Sequence, residues 1–259
     1  MLIAQISDTH LIVEGQGTEQ RLADFRSVIA DINALDPAPD VIVHTGDIAH
    51  NGTAEEYAVA SEILATASAP SYLLAGNKDN RSNLRSAFLA KGYLPDDTDF
   101  ITYSVDDSPV RLLMLDTVNA DSKKGDFCED RFSRFADLAV HGAPKPAAVF
   151  LHHPPFEVMV GPERFHYDDL DVMKRLAMAI SGLENIKGVF CGHVHRPTTG
   201  NVGRVPAVVM TSVATQLRYG DYPQEMDGKP TYLLHRFHAE FGFWTTTRIA
   251  GDASSSPRT

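Results

Sequence analysis

A chain of 259 residues, 43% hydrophobic and 22% charged, has the size and balance of a globular protein with a full core: one large domain, or one domain with appendages. Its formal net charge of -11, with no basic stripe to offset it, argues against nucleic acid or anionic membrane as a general partner. Two cysteines, Cys128 and Cys191, make no disulfide framework and read as reduced thiols in a cytoplasmic protein, and no apolar segment reaches membrane-spanning length.

Leu2 to Ser7 is apolar with one polar break and reads as a buried strand ending on Asp8-Thr9-His10. If Asp8 and His10 are ligands, this start is a core strand rather than a cleaved leader. Gly15 to Gln20 is polar and glycine-rich, a loop. Leu22, Phe25, Val28, Ile29, Ile32 and Leu35 then form the stripe of a helix over 21–35, stopped by Pro37 and Pro39. Val41-Ile-Val-His-Thr-Gly-Asp47 is a short apolar run that ends on a Gly-Asp pair. It predicts a buried strand with a sharp turn, which delivers Asp47 to the carboxyl end, where open α/β sheets bind their ligands.

Thr53 is the expected N-cap of a helix to about Thr66, with Glu55 and Glu56 in the first turn. Ser71 to Ala75 is a strand closed by Gly76-Asn-Lys-Asp79, and 80–91 is helical. Strands at 101–105 and 110–115 flank the turn Asp106-Asp-Ser-Pro109, and a polar loop runs from Asp116 to Gly125. A helix over 129–140 precedes a strand over 147–151 that ends in His152-His-Pro-Pro155. A helix over 168–180 precedes a strand over 187–191 that ends in Gly192-His-Val-His195. The remainder offers only strands, at 205–211, 231–237 and 241–247, and 250–259 reads as a disordered tail. Alternating strands and helices with an all-strand end predict a two-sheet sandwich with helices outside.

Five strand ends each supply metal-ligating side chains: Asp8 and His10, Asp47, Asn77, His152 or His153, and His193 with His195. One such residue at one strand end is usually a cap or a solvated loop group. Gly-His-x-His says more, because alternation along an extended chain puts both imidazoles on one side.

Taken in order, Asp-x-His, Gly-Asp, Gly-Asn, His-x-Pro and Gly-His-x-His resemble the calcineurin-like metallophosphoesterase superfamily over about residues 1 to 200. Gly46-Asp-Ile-Ala-His-Asn-Gly-Thr-Ala-Glu-Glu-Tyr57, His152-His-Pro-Pro155 and Cys191-Gly-His-Val-His195 resemble its branch of class III cyclic nucleotide phosphodiesterases and glycerophosphodiesterases. The resemblance implies an α/β fold, a four-layer αββα sandwich of two mixed sheets flanked by helices. Residues 1–200 would be the catalytic core, and 201–249 would complete the sandwich. It also implies a binuclear centre with one ion on Asp8, His10, Asp47 and His195 and the other on Asp47, Asn77, His152 and His193. His152, two residues before the proline, matches the family's ligand, and His153 would stand behind it or at the lip.

Mixed oxygen and nitrogen ligation suits two divalent or mixed-valence ions of Fe, Mn, Co or Zn better than Ca or Mg. A bridging Asp47 would hold them roughly 3.5–4 Å apart, with a bridging hydroxide poised to attack phosphorus. Because Asn77 is neutral, two dications would face only two carboxylates, leaving positive charge for a phosphate.

The family's usual Gly-Asn-His turn reads Gly76-Asn-Lys78 here, so a lysine replaces the histidine that stands beside the metals. Lys78 could clamp charge developing on the phosphoryl oxygens, serve as a general acid, or face solvent. His50 and Asn51 would line the cleft or simply occupy the loop, and Arg81 and Arg85 would reach an anion or be solvated. His44 and His235 read as structural, and Cys191 as a small hydrophobe. The loop 156–167 is a candidate lid.

The resulting expectation is a hydrolase of small phosphodiesters, with catalytic residues Asp47 and Lys78 and substrate contacts from Asn77, Lys78, His50 and His153. The rivals are a phosphomonoesterase or nuclease on the same site, and a weakly active phosphate binder. The strands after 200 would either pair copies of the chain into a homo-oligomer or finish the second sheet.

Overall fold

The computed structural model describes residues 1–96, 99–141, 144–159 and 163–251. Two mixed sheets face each other. The first contains β1 (Leu2–Ile6), β2 (Val41–His44), β3 (Ser71–Leu73), β10 (Thr231–His238) and β11 (Gly242–Ile249), in the order β11-β10-β1-β2-β3. The second contains β4 (Tyr103–Val105), β5 (Arg111–Leu115), β6 (Ala147–Leu151), β7 (Ile186–Cys191), β8 (Thr198–Val202) and β9 (Val205–Val209), in the order β4-β5-β6-β7-β9-β8. β1, β2 and β3 run parallel, as do β5, β6, β7 and β9.

Period-two alternation sorts the second sheet's side chains into two cores. Leu112, Met114, Ala148, Phe150 and Phe190 face the first sheet, whose Ile3, Val43 and Leu233 point toward them on the same side as Gln5 and His235. Leu113, Leu115, Val149, Leu151, Val189 and Cys191 face α4 (Glu129–His141) and α5 (Leu170–Ser181), meeting Phe135, Leu176 and Ile180. On the other side lie α1 (Thr18–Asn33), α2 (Ala54–Ala65) and α3 (Arg81–Phe88), whose Phe25, Ile29, Tyr57, Ile63, Leu84 and Phe88 are buried against the first sheet. The four layers are therefore α, β, β, α.

Helix α1 starts three residues earlier than the expected position 21, at Thr18, whose hydroxyl donates to the Gly15 carbonyl. Thr53 caps α2 in a reciprocal capping box with Glu56. Asn80 caps α3. The strands after residue 197 do not all finish the second sheet. β8, absent from the sequence expectation, and β9 extend it, whereas β10 pairs antiparallel with β1 in the first sheet. Leu233 and Phe237 thus belong to one sheet and Val208 and Val209 to the other. Of the expected tail, 252–259 lie outside the described residues, while Ala250 is buried and its N–H donates to the Pro230 carbonyl at 2.9 Å.

Among the described residues, five non-glycine residues adopt left-handed φ: Asp8 (54°), His10 (43°), Asp47 (52°), His193 (73°) and His195 (56°). All five are predicted ligands at strand ends. Such conformations cost on the order of 1–3 kcal/mol each and persist where surrounding structure enforces them. Left-handed backbone among the described non-glycine residues is thus confined to the predicted ligands.

Candidate metal centre

The turns after β1, β2 and β3 and those after β6 and β7 meet at the carboxyl edge shared by the two sheets. Asp8 and His10 follow β1, Asp47 follows β2 and Asn77 follows β3, while His152 follows β6 and His193 and His195 follow β7. Close approach of these turns depends on Gly76: a Cβ there would lie 2.3 Å from both the backbone N and Oδ1 of Asp47. No side chain fits at that position.

Donor atoms gather into two groups. In the first, His195 Nε2 lies 3.2 Å from Asp8 Oδ1 and 3.0 Å from His10 Nε2, and His10 Nε2 lies 3.4 Å from Asp47 Oδ2. In the second, Asn77 Oδ1 lies 2.9 Å from His193 Nδ1 and 3.3 Å from His152 Nε2, and that Nε2 lies 3.6 Å from Asp47 Oδ1. The two oxygens of Asp47 therefore face different groups.

The other ring nitrogens are anchored. His152 Nδ1 lies 2.7 Å from the Thr45 carbonyl and His195 Nδ1 lies 2.8 Å from the Leu217 carbonyl, so each donates there and turns a lone pair inward. Burial, opposed by Asp8, holds His10 well below the ordinary histidine range; burial also lowers His152, and burial with His153 lowers His193. Neutral imidazoles are what a metal ion takes. Burial disfavours the charged form of His195, but the Asp8 carboxylate outweighs it and raises that group. Burial works against ionised Asp8 too, yet His195 holds it well below the carboxylate range.

These residues fit bound metal on three counts. Asp8 Oδ1 is buried with no hydrogen-bond partner. The Nε2 atoms of His10 and His195, 3.0 Å apart, need a shared proton or a neighbouring cation between their lone pairs. Burial, then Asp8, pushes Asp47 up to about 8, so its carboxylate ionises at neutral pH when positive charge joins it. Oxygen and nitrogen donors in two adjoining groups suit two metal ions.

Other predicted residues lie around this core. His153 also approaches the second group, its ring 4.4 Å from that of His193, but its Nδ1 meets Thr117 Oγ1 at 2.8 Å and its Nε2 the Lys123 carbonyl at 3.1 Å. His50 Nδ1 lies 3.3 Å from His10 Nδ1, on the side of that ring turned away from Asp47. Asn51 is engaged with Glu56, and Arg81 forms a two-point pair with Asp116 at 2.7 and 2.8 Å. Lys78 is half-buried, and its backbone N–H donates to Asp47 Oδ1 at 2.7 Å. His44 and His235 are buried and hydrogen-bonded, to Thr9 and to Gln5 and Thr245 respectively. Cys191 is fully buried, which pushes its thiol up. The loop 156–167 includes 160–162, outside the described residues; its Phe156, Val158 and Tyr167 are buried.

Two features had no signal in the sequence. Asp79 accepts from the backbone N–H groups of Ile48, Ala49 and Gly76 at 2.8–3.2 Å and from Tyr57 Oη at 2.9 Å, tying the Asp47 turn to the Asn77 turn. His166, 4.9 Å from the His193 ring, is buried with Nε2 unpartnered.

The family model for calcineurin-like phosphoesterase matches residues 1–197. A probable glycerophosphodiester phosphodiesterase of Arcobacter nitrofigilis is 29% identical over 259 residues, covering 97% of this chain and 94% of that one. A probable cyclic nucleotide phosphodiesterase of Rhodopseudomonas palustris is 28% identical over 236 residues, covering 85% and 80%. Among solved structures, a dimetal phosphatase from Danio rerio shares the fold at 12% identity, with a TM-score of 0.72, covering 97% of this chain and 99% of that one. A match over most of the chain, on a sandwich whose strand ends gather the ligand set the motifs specify, makes this chain a member of the calcineurin-like phosphoesterase family.

Proposed function

We propose that this phosphoesterase is a metal-dependent hydrolase of small phosphodiesters. The observation that carries the reading is Asp47, buried between two donor groups with one oxygen toward each. Relatives named for glycerophosphodiesters and for cyclic nucleotides support a small diester as substrate.

In this reading one ion belongs to Asp8, His10, Asp47 and His195, and the other to Asp47, Asn77, His152 and His193. Fe, Mn, Co and Zn suit the mixed donor set. Bound there, two metal ions would polarise a phosphoryl oxygen and lower the pKa of an attacking water. Asn77 adds a donor without adding charge, so the centre stays attractive to phosphate. Lys78 faces the phosphoryl oxygens and stabilises charge that develops on them; in support, it is half-buried directly after Asn77, with its backbone N–H on Asp47 Oδ1. His50 and His153 hold their neighbours: His50 steadies His10, and His153 fixes the loop that carries Lys123.

The chain is further read as a cytoplasmic homo-oligomer with its core in 1–200. No helix among the described residues is long and apolar enough to cross a membrane. The exposed Phe241, just before edge strand β11, and Trp244, within it, support self-association, which size-exclusion chromatography measures.

The test is turnover of bis(p-nitrophenyl) phosphate, then of cyclic, linear and glycerol phosphodiesters, by Mn-reconstituted protein. Turnover that disappears on chelation and returns with metal is expected. Metal binding without turnover of any diester would instead indicate a phosphate-binding protein.

A further inference from the structure

A cavity of about 520 Å³ opens directly beside the metal centre, with His193 and His195 in its wall. That volume suits a small organic ligand rather than a phosphate alone. Three cationic side chains also line it, Lys123, Lys124 and Arg196, against one acidic residue, Glu163. Counting these, the lining carries 3 − 1 = +2 charges, in a chain whose formal net charge is -11. This local excess of positive charge adjoins the candidate metal centre.

The lining is held in place. Lys123 and Lys124 sit on the loop after β5, where the Lys123 carbonyl meets His153 Nε2 at 3.1 Å. The Gly125 N–H donates to the His166 carbonyl at 2.7 Å, joining this loop to the segment that carries His166. Arg196 follows His195 directly and donates from Nη1 to the Tyr219 carbonyl at 3.3 Å. It lies across Gly220, where a Cβ would come within 1.7 Å of Nη1. Lys124 Nζ is 3.4 Å from Glu163 Oε2, so one cation is partly neutralised. His166 is more than nine-tenths buried in the wall, and its buried Nε2 has no hydrogen-bond partner.

We propose that this cavity binds a second anionic group of the substrate, a phosphate or carboxylate carried on the part of the diester beyond the scissile phosphate. Lys123, Lys124 and Arg196 supply the charge, and His166 Nε2 the hydrogen bond. The inference rests on the phosphodiesterase reading and narrows it: a diester with a further anion is favoured over one without. Cyclic nucleotides, whose only anion is the scissile phosphate, leave this cavity's charges unused.

Two chromogenic substrates isolate the effect: the p-nitrophenyl diester of thymidine 5′-phosphate, with and without a 3′-phosphate. With Mn-reconstituted protein, the additional phosphate is expected to lower KM about tenfold at low salt, an advantage that shrinks as salt rises. Lys124→Ala/Arg196→Ala should remove that advantage while leaving kcat and KM for the other substrate within about twofold. His166→Gln, which retains a hydrogen-bonding group, should keep more of it than His166→Leu. Equal KM values in the parent, or a double variant that weakens both substrates alike, would overturn the proposal. Calorimetric binding of adenosine 3′,5′-bisphosphate against adenosine 5′-monophosphate separates this proposal from the catalytic one. If neither diester is turned over, the phosphodiesterase reading fails, and tighter binding of the bisphosphate that is lost in the double variant still upholds the cavity. Equal binding of the two nucleotides overturns it.

Discussion

Lys78 shows how much can hang on one side chain and how its backbone can be told apart from it. Its N–H supports Asp47 whatever the side chain, so Lys78→Ala should leave metal content unchanged. Loss of a charge that stabilises phosphoryl oxygens should lower kcat on bis(p-nitrophenyl) phosphate by about 10²-fold. Unchanged kcat in both Lys78→Ala and Lys78→His would remove the side chain from the chemistry. His44 and His235 set a different prediction. Burial pushes each down to about 3, against an ordinary value of 6.5. Between those values the unfolded chain binds protons that the folded chain refuses, so stability falls as pH drops below about 6.5. Each histidine contributes up to about 1.4 kcal/mol per pH unit to that slope. Denaturant unfolding from pH 6.5 to 4 should show the slope, and His235→Asn should make it shallower; an identical slope would contradict the assignment. The ligand types and their strand-end positions could be read from the sequence because each follows an apolar run and a turn. The environments of His153 and His166 could not, because their partners, Thr117, Lys123 and His193, lie 27 or more residues away.

At the level of elements, the centre depends on turns rather than strands, and Asp79 is what joins two of them. It collects three backbone N–H groups and the Tyr57 hydroxyl, and Tyr57 Oη in turn accepts from the Asn80 N–H at 2.7 Å. Burial, followed by Asp47, pushes Asp79 up to about 7, against the pull of those N–H groups. Asp79→Ala would leave buried donors without partners, at about 1–3 kcal/mol for each. It should lower the melting temperature and weaken metal binding about 10- to 100-fold, the effect typical of groups that orient ligands. Calorimetric metal titration measures the second effect; parent-like affinity with a lowered melting temperature would limit Asp79 to stability. Strands and helices were legible from their periodicity within a few residues. The short β8, with Thr198, Thr199, Gly200 and Asn201, has no apolar run to reveal it, and burial of only one of its five residues explains why.

In the whole molecule, the centre is a seam between the two sheets. Asp8, His10, Asp47 and Asn77 come from the first sheet, and His152, His193 and His195 from the second. Metal bound there links both halves of the sandwich in the folded state alone, and so stabilises the fold by mass action, about 4 kcal/mol at 1,000 times Kd. Chelation should therefore lower the melting temperature of the entire chain in one transition; no shift would mean that the folded state gains nothing from metal. The sandwich itself was legible from the alternation of elements. The partner of β1 was not, because β10 lies about 230 residues away and nothing local distinguishes its sheet from that of β9. Metal content per chain, measured by inductively coupled plasma mass spectrometry on reconstituted parent and Asp47→Asn, tests the central claim most directly. Two ions per parent chain and weakened retention at both positions in Asp47→Asn are predicted; two ions held as tightly as in the parent would contradict a shared Asp47.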